Sequence, residues 1–168
     1  MGAFLLISLA VCLAIAVLTD LLKQRIPNWL VFSLILLGFS GNVITGQFYG
    51  AWTATAGLLT GLLCFLPFHV FGAMGAGDVK LLAAIGTVVG PNTVFITALL
   101  TIVAGGFIAL VYIALRGGII DMLRRYGAML VHLLHLQPIY IPPAPGEAAG
   151  LRFPYALAIA CGTALAII

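Results

Sequence analysis

From Ala3 to Thr19 no residue carries a charge, and the run closes on a single carboxylate, Asp20. Such a stretch suits one crossing of a bilayer as a helix, because a backbone in hydrocarbon must satisfy its own hydrogen bonds. Comparable apolar stretches follow at 29–45, 51–71, 79–90, 93–115 and 151–168. The expected fold is therefore all-α: a polytopic membrane protein with about six transmembrane helices. Only 7% of the 168 residues are charged, whereas a soluble domain carries about a quarter. Little is left for a soluble part, so one membrane-embedded domain over 1–168 is expected. A formal charge of +3 gives no footprint for nucleic acid. Cys12, Cys64 and Cys161 all lie inside apolar stretches and read as packing residues rather than metal ligands or a disulfide framework. The first stretch lacks a basic segment before it and reads as a retained helix rather than a signal peptide.

The polar punctuation is sparse. Lys23-Gln24-Arg25-Ile26-Pro27-Asn28 follows the first stretch, with Asn28 placed to cap a helix starting at Trp29. Gly46 to Gly50 reads as an uncharged turn, and Gly90-Pro91-Asn92 as another. Between the third and fourth stretches lies Gly72-Ala73-Met74-Gly75-Ala76-Gly77-Asp78-Val79-Lys80. The helix after it, beginning at Asp78, is short: at 1.5 Å per residue, 79–90 reaches about 18 Å against a hydrocarbon core of about 30 Å. That points either to a bilayer thinned there or, as favoured, to an Asp78 recessed below the membrane surface, in backbone buried in protein or lining a wet cavity. The segment 116–150 differs from the rest. Its apolar run 119–136 is broken by Asp121, Arg124, Arg125, His132 and His135, the pattern of an amphipathic helix lying in the interface. Four prolines within 138–146 then suit an extended linker.

Six alternating crossings put Lys23, Arg25, Lys80, Arg116, Arg124, Arg125 and Arg152 on one face, which the positive-inside rule makes cytoplasmic. Both termini are then outside. The same topology sets Asp20 and Asp78 at one face and similar depth. Acids at the edge of hydrocarbon are costly and mark functional sites. Two of them suit proton-sharing chemistry, one taking a proton from water and the other donating to a substrate carbonyl. Their titrations belong to the pair, so neither is assigned as the base. The plainer reading makes Asp20 a helix C-terminal acid and Asp78 an N-cap, each paired with a neighbouring Lys or Arg. Gly75 and Gly77 suit either loop flexibility or a substrate backbone passing close to Asp78. Lys80 is equally a lipid anchor or a site residue, and His69, His132 and His135 read as interfacial.

The residues bracketing the two acids carry a resemblance. Asp20 with Lys23 to Asn28, followed by Gly75-Ala76-Gly77-Asp78-Val79-Lys80-Leu81, resembles the type IV prepilin peptidases, the GxGD-type aspartic proteases of the bacterial inner membrane. Pro154 to Gly162 is similar to that family's last helix. The compact arrangement is similar to the peptidases of tight-adherence (Flp, type IVb) pilus systems. The resemblance implies that Asp20 and Asp78 are catalytic, cutting the basic leader from prepilins or pseudopilins at the cytoplasmic face of the inner membrane. It implies no metal or organic cofactor, and it admits the pilus assembly machinery as a partner. It also hints that the loop with Asn28 shapes the site, while Lys80 or Arg25 would meet an acidic residue early in the mature pilin. Full-length members of that family usually carry a cytoplasmic insert with a four-cysteine zinc site and also methylate the new N-terminus. This chain opens directly on its first stretch, so methyl transfer is not expected of it. A reading of another class uses the same acids as ion ligands in a small transporter, although no inverted repeat is visible. A structural subunit of a pilus platform would give the paired acids no purpose.

Overall fold

In the computed structural model, which describes residues 2–72, 74–115, 124 and 155–168, every regular element is helical. They are α1 (Ala3–Lys23), α2 (Asn28–Val70), α3 (Ala76–Val89), α4 (Pro91–Leu115) and α5 (Tyr155–Ile167). No strand occurs among the described residues, as the apolar pattern led one to expect. Among the described residues three helices are long and apolar enough to cross a membrane: α1 from Phe4, the whole of α2, and α4 to Val111. The expected interfacial helix 119–136 and proline-rich linker, with Asp121, Arg125, His132, His135, Glu147 and Arg152, lie outside the described residues.

The chain divides into two compact units. The second, Gly106–Phe153, is described only along the end of α4 and at the exposed Arg124. The first, Met1–Gly105 with Pro154–Ile168, holds everything that follows.

Stretches 29–45 and 51–71 form two helices, the halves of α2, joined directly at Gln47, whose φ of 49° and ψ of −126° are not helical. Both halves lie against α3. Gly38 abuts Thr87 from the first half, and Gly57 abuts Gly86 from the second. The chain thus folds back at a single residue rather than over the five-residue turn expected. Asn42 ties the first half down, its Nδ2 donating to the carbonyls of Thr87 at 2.8 Å and Gly38 at 3.0 Å.

α3 is the hub. Leu81, Leu82, Ala84, Ile85 and Thr87 are fully buried, and Val79, Ala83 and Val88 nearly so. A helix apolar on every side has to be surrounded, and this one is. Gly90, at φ 83°, turns the chain out of α3 straight into α4, with Pro91 supplying the fixed φ that suits a first helical residue. α1 faces this core with Leu5, Leu9, Cys12, Leu13 and Ala16, a stripe at helical spacing. α5 packs on the core through Ala156, Ile159 and Gly162, the last beside Thr101 of α4. Of the three cysteines only Cys12 is buried. Cys161 is exposed, which corrects its reading as a packing residue.

Candidate active site

The stripe that α1 buries does not stop at Ala16; one more turn brings it to Asp20, which is 7% exposed. Helical geometry therefore aims a carboxylate at the core, and α1 continues past it to Lys23. Gln24, in the left-handed region at φ 49°, ends the helix by donating its N–H to the Asp20 carbonyl at 2.8 Å. The carboxylate itself is met from the far end of the chain. Ala156 N–H donates to Asp20 Oδ2 at 3.0 Å. Ala156 is the second residue of α5, where backbone N–H groups have no partner within the helix and the dipole favours an anion.

Asp78 is held by its own first turn. The N-cap of α3 is Gly75, and helix begins at Ala76, two residues before the expected start. Gly75 N–H donates to Asp78 Oδ2 at 3.2 Å, and Asp78 N–H donates back to the Gly75 carbonyl at 3.2 Å. Asp78 is thus not the N-cap; it is the third helical residue, reaching back to the N-cap backbone. Asn28 is not a cap either. Pro27 holds that position, and Asn28 Oδ1 instead accepts from Lys80 Nζ at 3.4 Å, joining the start of α2 to the start of α3.

All seven residues singled out from the sequence line one cavity of about 280 Å³: Asp20, Arg25, Asn28, Gly75, Gly77, Asp78 and Lys80. Gln24, Ile26 and Ala76 complete it. Asp78 stands ahead of the apolar run of α3 and outside the three helices long enough to cross a membrane. Burial pushes its pKa up to about 6, the negative charge of Asp20 adds to that rise, and the Gly75 N–H opposes it. Two acids share this recess, with the cations Arg25 and Lys80 on its walls. Among the described residues no group of three or more His, Cys, Asp or Glu side chains is placed to hold a metal ion.

The two glycines differ. A Cβ on Gly77 would meet Ile26 at 3.4 Å, ordinary contact, whereas one on Gly75 would sit 3.2 Å from Asp78 Oδ2. Neither has a positive φ, so the difference is one of space. Gly77→Ala should therefore retain at least about half of wild-type turnover, while Gly75→Ala, by displacing the carboxylate, should lose about tenfold. Steady-state rates on the natural reaction check both. One contributor and the residue next to it escaped the sequence reading. The Ala156 N–H is a backbone group that no residue type reveals. Tyr155 sits beside it, edge-on to Phe65 at 6.2 Å and close against Gly105. A phenol at the head of an apolar helix was the available signal for Tyr155.

A family model described as the type IV leader peptidase family matches residues 7–110, more than half of the chain and inclusive of both acids. Neither the curated proteins nor the solved structures contain a match.

Proposed function

The chain belongs to the type IV leader peptidase family, and on that premise we propose that Asp20 and Asp78 are its catalytic pair, working as an aspartic endopeptidase. The observation that carries the reading is the meeting of two carboxylates from separate helices in one recess. In this reading Asp20, whose Oδ2 accepts the Ala156 N–H, takes a proton from water. Asp78, whose burial and neighbour favour the neutral form, donates its proton to the scissile carbonyl oxygen. The water oxygen bonds to the carbonyl carbon, and the resulting diol collapses as one hydroxyl returns its proton to Asp78, the C–N bond breaks and the leaving nitrogen takes the proton held by Asp20.

The substrates are prepilins or pseudopilins of the tight-adherence kind, with a basic leader ahead of a hydrophobic helix. Lys23 and Arg25 beside Asp20, and Lys80 beside Asp78, support a cytoplasmic mouth under the positive-inside rule. Six crossings of the inner membrane, with both termini outside, complete the topology. The test is the full chain reconstituted in liposomes with a synthetic peptide carrying a basic leader ending in Gly before an apolar helix. Mass spectrometry should find one cut after the leader, absent from Asp20→Asn. Ion flux without any cleavage would overturn the peptidase mechanism in favour of transport.

A further inference from the structure

His69 lies on the last turn of α2 and does not line the cavity. Its Nδ1 is nevertheless 3.1 Å from the carbonyl oxygen of Met74. A carbonyl only accepts, so Nδ1 carries the proton. The Met74 carbonyl and the Gly75 N–H belong to one planar peptide unit. The same unit thus accepts from His69 at its oxygen and donates to Asp78 Oδ2 from its nitrogen, at 3.2 Å.

We propose that His69 is a positioning residue for Asp78, acting through the Met74–Gly75 peptide. The proposal rests on Asp78 being a catalytic acid. Two features make the side chain necessary. α2 ends at Val70, and Gly72, at φ 74°, swings the chain away in the left-handed region. After that turn, among the described residues, the hydrogen bonds holding the loop ahead of Gly75 are Gly72 N–H to His69 O at 2.9 Å and this imidazole contact. Second, a planar peptide held at its oxygen has its N–H direction fixed. Donation to the oxygen also polarises the N–H, strengthening its bond to the carboxylate. Without the imidazole, the peptide is free to rotate and Asp78 loses a fixed donor.

The test uses the full chain in liposomes with the leader peptide, comparing His69→Ala, His69→Asn and His69→Gln. An asparagine amide nitrogen occupies nearly the place of Nδ1, whereas a glutamine amide reaches to where Nε2 would be. His69→Ala should lose about tenfold in kcat with KM within about twofold, because the misplaced group acts in the transition state. His69→Asn should recover most of that loss and His69→Gln little of it. Because His69 is exposed, all three should fold, and equal melting temperatures in detergent check this. Wild-type kcat in His69→Ala overturns the proposal, as does a glutamine that rescues as well as asparagine. Retained cleavage in Asp78→Asn would instead sink the underlying reading, which keeps the two failures distinct.

Discussion

Asp78→Asn is expected to lower leader cleavage by about 10³-fold or more, while the same substitution makes the protein harder to unfold near neutral pH. The first effect follows from removing the proton donor: an amide keeps the shape and the Gly75 bond but offers no acid of useful strength. The second follows from the raised pKa. Asp78 titrates near 6 when folded and near 3.8 otherwise. A carboxyl shifted upward contributes its full stability below its ordinary pKa and loses that contribution as pH rises through the folded value. The wild type should therefore weaken between about pH 4 and pH 6, and Asn at position 78 should abolish that slope. The shift sets a ceiling of about 3 kcal/mol, and partial solvent access brings the expected gain at neutral pH to about 1–2 kcal/mol. Thermal unfolding in detergent at both ends of that range reads it directly. A merely structural Asp78 would show the opposite pairing, with activity kept and stability lost. In Asp20→Asn, cleavage should fall comparably. The pH-dependent weakening should also move downward, since the neighbouring charge that helps raise Asp78 is gone.

The largest expected structural effect lies at the far side of α3. Gly57 of α2 and Gly86 of α3 each press on the other's carbonyl, so a Cβ on either would overlap backbone rather than a movable side chain. Relief requires the two helices to part. Gly86→Leu is expected to cost about 3 kcal/mol or more, at the upper end of overpacking penalties. Gly46→Ala makes the control, since nothing stands within 4 Å of a Cβ there, and surface changes of that kind stay within about 0.5 kcal/mol. Unfolding in mixed detergent micelles measures both. Because α3 carries Asp78 at its other end, Gly86→Leu should also depress cleavage, whereas Gly46→Ala should not. Equal stability of the two variants would show that α2 and α3 do not cross where these glycines meet.

How far the sequence reached can be followed residue by residue. The apolar runs determined an all-α chain, because uncharged stretches of that length leave a backbone no partner but itself. The sequence also picked out Asp20 and Asp78, since carboxylates are rare enough in this chain to stand out, and the five lesser site residues beside them. What it could not supply were the positions that depend on atoms meeting across the fold. Asn28 and Asp78 both read as helix caps because short polar side chains at helix starts usually are. In the structure Pro27 and Gly75 hold those positions, leaving Asn28 to reach Lys80 and Asp78 to bend back on its own first turn. The fold-back at Gln47 was invisible because one residue with unusual dihedrals leaves no mark in composition. The roles of the Ala156 N–H and of the Met74–Gly75 peptide were hidden for a plainer reason: every residue carries a backbone amide, and tertiary structure decides which one faces a carboxylate. Sequence alone therefore singled out the side chains proposed to bear the chemistry, as rarity and spacing are written in it. Only the folded chain decided how each acid is held, because hydrogen bonds between helices depend on distances that no linear pattern contains.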